Sequence, residues 1–555
     1  MSRNQNSRFA SNPTNLDISR SRFRRDSDIK FTFNVGDIIP FYVDEVLPGD
    51  TFSIDSSKVV RLQTPAVPIM DNIYLDYYWF FVPNRIVWEH WRELMGENTK
   101  SAWIPDTEYQ VPQITAPDGG FSAGTIADYM GIPTNVGNLS VNALPFRAYA
   151  LIMNEWFRDE NLTDPLNIPT NDATVAGSNG DNYLTDVAKG GKPFKASKYH
   201  DYFTSALPAP QKGADVGIGL TGSAPVITTS SPKSLPTPII PLTWNDVSTG
   251  KLFTPDSRYE ISLNPGGSGI QFTKAVSSSH GAGVDFNEIA PRNLVADLGS
   301  TSAITVNELR MAFQLQKLYE KDARGGSRYI ELLKSHFGVT SPDARLQRPE
   351  YLGGNRIPIN INQVVQTSSN VTDQPLGDTG AYSLTVDYHS DFTRSFVEHG
   401  FIMGLCVARY DHSYQQGLER FWSRKSRFDY YWPVLANIGE QAIKNKEIFA
   451  QATSVDDEVF GYQEAWADYR YKPSRVAGEM RSNFKQSLDV WHLGDDYDSL
   501  PRLSDSWIRE DKSNLDRCLT ITSSVANQLF CDVYVQNKTT RAMPLYSIPG
   551  LIDHH

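Results

Sequence analysis

The chain carries, at residues 73–82, the stretch Ile73-Tyr74-Leu75-Asp76-Tyr77-Tyr78-Trp79-Phe80-Phe81-Val82. In an extended chain successive side chains point to opposite faces. The odd positions form one apolar face, and Tyr74, Tyr78, Phe80 and Val82 make the other face nearly as apolar. A strand of this kind is covered on both sides. The stretch therefore predicts a strand buried between two layers, ended by Pro83.

Strand patterns also occur before and after this stretch. Ile38 to Val43, a turn at Pro48-Gly49-Asp50 and the alternating Thr51 to Asp55 together predict a hairpin. Four later stretches read as strands, namely Tyr382 to Tyr388, Phe401 to Val407, Leu519 to Thr522 and Leu529 to Val535. Strands at both ends of a chain, with long segments between them, favour a β-sandwich with insertions over a βαβ fold.

Three helices are predicted between the strands. Asn84 can cap a helix that contains Val87, Trp91, Leu94 and Met95 and ends at Gly96. Apolar residues at three- and four-residue steps predict a packed helix from Pro145 to Phe157. A third helix is predicted from Val306 to Asp322. The long loops 101–142 and 341–378 look too polar for a core, and we expect them to be interface arms.

The composition is that of a globular chain. It has 555 residues, 40% of them hydrophobic, and a mean hydropathy of -0.39. The longest apolar stretch, Gly400 to Ala408, is far shorter than the ~20 residues of a membrane-spanning helix. No secretory leader is recognisable, so we expect folding in a cytoplasm. The three cysteines lie in or beside apolar runs and predict buried thiols, without a disulfide or zinc site. The 64 aromatic residues favour extensive protein contacts.

Charge is unevenly distributed. The net charge is -12, yet the first 25 residues carry six arginines against Asp17 alone. Such an arm, taken as residues 1–29, is either a solvated terminus or a segment that binds phosphates non-specifically. The arginines are Arg3, Arg8, Arg20, Arg22, Arg24 and Arg25.

Residues 213–300 differ in composition from the rest of the chain. Of these 88 residues, 39 are Gly, Pro, Ser or Thr and 12 are charged. Loops of this length in compact proteins are usually functional or disordered. We expect a surface insertion, with the flanking residues 30–212 and 301–555 forming the core domain.

Few motifs indicate chemistry. Gly217 to Gly222 match GxGxxG, but a Pro-rich stretch precedes them and no helix is predicted after them, which argues against a nucleotide site. Asp495, Asp496 and Asp498 could ligate calcium, although an acidic loop is more often simply solvated. The histidines are scattered, and no nucleophile motif is present. We expect no cofactor, no metal and no catalytic residue.

Several long strings are nevertheless specific to a family. The chain resembles the major capsid proteins of gokushoviruses, single-stranded DNA phages of the Microviridae. The resemblance rests on strings spread over nearly the whole chain, including Val43–Phe52, Phe80–Arg85, Pro145–Tyr149, Asn154–Arg158, Lys198–Pro208, Ser335–Val339, Ala344–Tyr351, Tyr414–Leu418, Tyr469–Pro473, Asp489–Leu493 and Pro549–His554. Only residues 213–300 lack recognisable family strings.

The resemblance implies an eight-stranded viral jelly roll, with long loop insertions and a few helices, that assembles into a T=1 icosahedral shell around circular single-stranded DNA. It also implies other virion and assembly proteins as partners, assembly in the host bacterial cytoplasm, and location in the virion without membrane insertion. The basic arm would contact DNA on the inner surface. The insertion, marked by Gly222, Trp244, Gly267 and Gly281, would form a three-fold protrusion that binds a host receptor. A carbohydrate-active β-sandwich enzyme or lectin is the alternative.

Overall fold

The computed structural model describes residues 20–97, 108–214, 216–217, 306–368 and 376–546, together with seven short strands between residues 226 and 296. The chain divides into two compact units. Unit 1 comprises Met1–Lys212 and Glu320–His555, and unit 2 comprises Gly213–Tyr319. Unit 2 begins where the sequence predicts the insertion to begin.

The structure is dominated by strands. In chain order they are β1 (Ser21–Arg24), β2 (Ser27–Phe33), β3 (Ile39–Val46), β4 (Thr51–Leu62), β5 (Ile73–Pro83), β6 (Gln113–Thr115), β7 (Ser140–Asn142), β8 (Val175–Ala176), β9 (Val226–Thr228), β10 (Trp244–Asp246), β11 (Leu252–Phe253), β12 (Tyr259–Leu263), β13 (Ile270–Lys274), β14 (Ile289–Pro291), β15 (Leu294–Ala296), β16 (Glu350–Pro358), β17 (Ile361–Val365), β18 (Thr379–Ser383), β19 (Thr385–Ser395), β20 (Gly400–Tyr410), β21 (Glu440–Lys444), β22 (Val459–Glu464) and β23 (Leu529–Arg541). Strands β9 to β15 belong to unit 2.

The helices are fewer and mostly short. They are α1 (Asn84–Val87), α2 (Trp91–Leu94), α3 (Ile126–Tyr129), α4 (Leu144–Ile152), α5 (Val306–Gly325), α6 (Tyr329–Phe337), α7 (Asn445–Ile448), α8 (Asp505–Ile508) and α9 (Ser513–Cys518). A π-helical turn, Met153–Phe157, continues α4.

Two antiparallel sheets form the centre of unit 1. The first has the order β1-β23-β4-β19, and β2 also pairs with β23. The second has the order β16-β5-β20-β3. Alternate residues of β4 are buried along its length, as expected for a strand with one face on the core. Because side chains of both sheets enter one hydrophobic core, the sheets pack as a β-sandwich.

The strand predicted from residues 73–82 is β5, and both of its faces are buried. Leu75, Tyr77 and Trp79 enter the core between the sheets. Phe80 and Val82 enter a second core on the other face of the sheet, built with residues of α4. The prediction of a doubly covered strand is confirmed. The chain between β5 and β16 provides the covering layer, and Trp156 of the π-helical turn packs on Phe80 with ring centroids 5.3 Å apart.

The predicted hairpin is wrong, although its turn is present. The Asp50 N–H donates to the Leu47 carbonyl at 3.0 Å, and Gly49 adopts a φ of +88°, which favours glycine. The strands on either side belong to different sheets, because β3 pairs with β20 whereas β4 pairs with β23 and β19. The turn therefore carries the chain across the sandwich.

Local patterns also misplaced some boundaries. The helix predicted from Asn84 is two helices, because the backbone of Trp88 is extended and interrupts it. The buried Trp88 indole N–H donates to the Asp172 carboxylate at 2.7 Å. The N-cap of the first helix is Pro83 rather than Asn84. The helices predicted at Pro145 and Val306 are confirmed as α4 and α5.

The strand predicted at Leu519–Thr522 is wrong. Leu519 forms one isolated bridge with Pro65 at the end of α9, and the chain then turns. The described part of loop 101–142 is not a polar arm either, because Ile114, Phe121 and Ile126 lie in the second core.

Candidate functional surfaces

The basic segment near the N-terminus joins the first sheet. Arg3 and Arg8 lie outside the described residues. From Ser21 the chain is strand β1, an edge strand paired with the end of β23, and β2 begins at Ser27, before the predicted end of the arm at residue 29. Arg22 and Arg24 are exposed, and Arg24 contacts Asp26. Arg20 is exposed and donates to the Gly49 carbonyl.

Arg25 differs from these neighbours. Its guanidinium donates two hydrogen bonds to the Asp44 carboxylate, at 2.6 and 2.8 Å, and is half-buried. Asp44 also accepts from the Tyr42 hydroxyl at 3.0 Å. Burial would lower the pKa of Arg25, but the bond to Asp44 more than offsets this and raises it. Arg25 therefore joins the N-terminal segment to β3, and its guanidinium is occupied by the ion pair with Asp44.

The predicted insertion residues are only partly described. Trp244 lies at the start of β10, where it is the register partner of Phe253 in β11 and of Pro291 in β14. Gly222, Gly267 and Gly281 lie outside the described residues. Unit 2 thus holds a three-stranded sheet, β11-β10-β14, and two pairs, β12-β13 and β15-β9.

A buried histidine lies between two carboxylates in unit 1. His412 Nδ1 is 2.9 Å from Asp495 Oδ1, and its Nε2 is 3.0 Å from Glu510 Oε1. Burial alone would lower the pKa of His412, but Glu510 and Asp495 outweigh it and raise the pKa to about 10. Against the effect of burial, the positive charges of His412 and Lys198 lower the pKa of Asp495. The ring is therefore an imidazolium at neutral pH and a charged bridge in the interior.

This bridge argues against calcium binding at Asp495, Asp496 and Asp498, the less favoured of the two interpretations of that acidic loop, because it occupies the Asp495 carboxylate. Asp495 is 3% exposed, and its oxygens accept from Asn514 at 2.6 Å and Tyr497 at 2.7 Å as well as facing His412. Asp496 instead accepts from Gln416 at 2.9 Å. Among the described residues no group of three His, Cys, Asp or Glu side chains could hold a metal ion.

A second buried charge lies on β5. Asp76 accepts from Arg356 Nε at 2.7 Å and from the Tyr199 hydroxyl at 2.8 Å, and it also binds Arg409. Arg356 belongs to β16 and Arg409 to β20, so one carboxylate joins the three neighbouring strands. Burial would raise the pKa of Asp76, but the two arginines lower it. In the sequence, Asp76 is the one charged residue in the apolar stretch Ile73–Val82. A charge in a buried strand needs a partner of opposite charge, so this residue already indicated an internal ion pair.

The cavities of unit 1 are open clefts with mixed charge. One of about 1300 Å³ lies beside β2 and is lined by both acidic and basic groups, including Lys30, Arg61, Lys192, Asp128 and Asp532. The three thiols are buried in the sandwich core, as predicted. None of the helices in the described part of the chain is both long and apolar enough to cross a bilayer.

The chain is similar to known capsid proteins along almost its whole length. Residues 11–551 match the family model described as Capsid protein (F protein). The capsid protein VP1 of Bdellovibrio phage phiMH2K is 43% identical, over 99% of this chain and 98% of the relative. VP1 of Spiroplasma virus 4 is 44% identical over 96% of each chain, and VP1 of Chlamydia phage 1 is 42% identical over 98% of this chain and 97% of its own.

The matched region spans both sheets of the sandwich, the charged bridges and unit 2. Identity above 40% over nearly the full length of three capsid proteins leaves no large segment of the chain outside the comparison. A capsid protein resides in the virion and assembles with copies of itself. The chain therefore belongs to the Capsid protein (F protein) family, as a major capsid protein of the gokushovirus type within the Microviridae.

Proposed function

We propose that this capsid protein is an eight-stranded viral jelly roll that builds a T=1 icosahedral shell of sixty copies. The strand order supports the jelly roll, and the similarity to capsid proteins supports the shell. The four-residue edge strand β1, which also pairs with β23, is an addition to the eight strands β2, β3, β4, β5, β16, β19, β20 and β23. When these eight are numbered in chain order, the first sheet has the order one-eight-three-six and the second has the order two-seven-four-five. Two interleaved four-stranded sheets of this kind are the double Greek key of a jelly roll.

Sixty identical chains must each contact several neighbours through different patches. At 62.2 kDa per chain, the shell has a protein mass of roughly 3.7 MDa. We expect purified assembled protein to sediment as one species of that protein mass, and electron micrographs to show icosahedral particles. Monomers or dimers under every assembly condition would refute the shell.

The shell is proposed to enclose circular single-stranded DNA, contacted by Arg3, Arg8, Arg20, Arg22 and Arg24. What supports this is the solvent exposure of Arg20, Arg22 and Arg24. Phosphate neutralisation by cations releases counterions, so such binding is sensitive to salt. Arg25 is better assigned to its bond with Asp44 than to DNA.

We expect the double variant Arg22→Ser with Arg24→Ser to weaken DNA retention. The slope of the logarithm of the binding constant against the logarithm of the salt concentration should become shallower by about 1.4, since each phosphate contact to a single strand contributes about 0.7. Filter binding at several salt concentrations measures this. The matched variant Arg22→Lys with Arg24→Lys keeps both charges and should retain the slope. Equal slopes for the Ser and Lys variants would exclude these two residues from the DNA interface.

Unit 2 is proposed to be the three-fold protrusion that binds a host receptor. The supporting observation is that the chain between β5 and β16, where unit 2 lies, is the longest connection in the sandwich. Other virion and assembly proteins, and assembly in the host bacterial cytoplasm, complete the proposal. We propose no catalytic role, and no contact among the described residues favours the carbohydrate-active alternative.

A further inference from the structure

One surface of unit 1 concentrates exposed rings. It is formed by residues 420–438 and 469–475, which we call the aromatic surface. Six of its rings are between 42% and 72% exposed, namely Phe421, Trp422, Phe428, Tyr430, Tyr431 and Trp432. Val434 is 93% exposed, and Tyr469, Tyr471 and Ile438 are about half exposed. So many solvent-exposed large apolar side chains within two short segments indicate an interaction site.

The aromatic surface is held in place by contacts within itself. The Arg424 guanidinium lies 4.4 Å from the Tyr469 ring centroid and 5.5 Å from that of Tyr430. The indole N–H of Trp432 donates to the Arg427 carbonyl at 3.1 Å, and the Arg427 guanidinium lies over the same ring at 4.8 Å. Rings fixed in this way lose little conformational entropy on binding, which favours affinity.

The charges of the aromatic surface distinguish between two kinds of partner. It has seven basic side chains, and five of them already form ion pairs within the chain. These pairs are Arg420–Glu447, Arg424–Asp468, Arg470–Glu464, Lys472–Glu419 and Arg475–Glu419. A DNA strand needs cations for its phosphates as well as rings for its bases. Basic side chains that are already neutralised by ion pairs, beside exposed Trp, Tyr and Arg, are typical of a protein–protein interface instead.

The area also suits a protein partner. At about 200 Å² per aromatic side chain, the exposed parts of the six rings amount to roughly 600 Å². Tyr469 and Tyr471, each about half exposed, add about 200 Å² on the same scale. The total then reaches the ~800 Å² that each partner contributes to a standard protein interface, before Val434 and Ile438 are counted. The largest apolar patch of an ordinary monomer is about 300–600 Å².

We propose that the aromatic surface is an inter-subunit contact of the capsid, and that its occupant is a second copy of this chain. Self-assembly makes another copy the partner present at the highest local concentration in a shell. The inference rests on self-assembly, but not on the number of subunits or on the enclosed DNA. Val434 and Phe428 are the anchors, because they are the most exposed aliphatic and the most exposed aromatic side chain of the aromatic surface.

Thiol labelling tests this contact directly. Cys406, Cys518 and Cys531 are buried, so the variant Val434→Cys adds an accessible thiol to a chain whose own thiols are covered. We expect maleimide to label the Val434→Cys variant fully in dissociated subunits and at least tenfold more slowly in particles assembled from this chain alone. Equal labelling rates in subunits and particles would overturn the proposal, as would protection that occurs in DNA-filled particles and is absent from particles of this chain alone.

A charge substitution tests the energetic role. Val434→Asp should leave the circular dichroism spectrum of the subunit unchanged, since the side chain is 93% exposed, and lower the yield of particles at least tenfold. Val434→Leu is the matched control and should assemble at the wild-type yield. Assembly of Val434→Asp at that yield would refute the contact. If the wild-type chain formed no particles even when it was produced together with the assembly proteins of the phage, the shell would be refuted instead, so the two failures are distinguishable.

Discussion

His412 shows how one residue can link the stability of the subunit to pH. An unfolded histidine has a pKa near 6.5, whereas the folded ring, between Asp495 and Glu510, has a pKa of about 10. The stabilisation from the charged ring is complete below about pH 6.5 and is lost as pH rises through about 10. Lys198, 3.7 Å from Asp495, is the other cation of the cluster. The neighbouring Tyr410, Tyr414 and Tyr497 have raised pKa values because they are buried beside carboxylates.

We expect His412→Gln to destabilise the subunit by about 3–5 kcal/mol at pH 7, because two buried carboxylates lose the cation between them. Its unfolding temperature should also vary less between pH 7 and 10 than that of the wild type. Calorimetry across this range measures both effects.

The matched control for His412 is His492→Gln. His492 is equally buried but bonds only to the backbone, with Nε2 2.7 Å from the Met480 carbonyl and Nδ1 accepting from the Gly494 N–H at 2.9 Å. This variant should keep the wild-type pH dependence. A His412→Gln subunit whose stability still falls between pH 7 and 10 like the wild type would contradict the assigned role.

At the scale of the elements, Asp76 holds β16, β5 and β20 together from the middle strand. Asp76→Asn would leave Arg356 and Arg409 facing a neutral group, and we expect a loss of about 3–5 kcal/mol in the free energy of unfolding. Asp532→Asn, on β23, removes an exposed carboxylate that lies 3.6 Å from Lys30, and should cost less than about 1 kcal/mol. Denaturant titration compares them, and equal losses would contradict the assignment.

The elements also show what a sequence can predict. Period-two and period-3.6 patterns predicted β5 and α4, because each pattern reports a local burial that the fold preserves. The pattern at Val306 also predicted a helix, α5, but its apolar side chains, Phe313 among them, are mostly exposed. Pairing was not predictable in the same way, since Pro48-Gly49-Asp50 looks identical whether its strands pair or enter opposite sheets. His412 and its partners Asp495 and Glu510 are separated by more than 80 residues, so nothing local indicated their contact. The aromatic surface carried a signal in the rings of residues 421–432, which only the structure showed to be exposed.

At the scale of the whole molecule, unit 2 is separable in sequence from the sandwich. Every strand of the two central sheets lies outside Gly213–Tyr319. We therefore expect a chain in which residues 222–281 are replaced by a short Gly-Ser linker to fold and form particles, but to lose host attachment. Particle yield and adsorption to host cells measure the two properties. Loss of soluble expression would show that the segment is structural instead.

Strand β23 pairs with β1, β2 and β4, so the last strand lies beside some of the first, about 500 residues earlier in the chain. Until residues 529–541 leave the ribosome, β4 and β2 lack the neighbour that joins them, and the first sheet cannot close. A chain cut short by a nonsense codon or a protease would expose open strand edges, which tend to aggregate. The first sheet therefore closes only in chains that include β23, and those chains can become subunits of a particle.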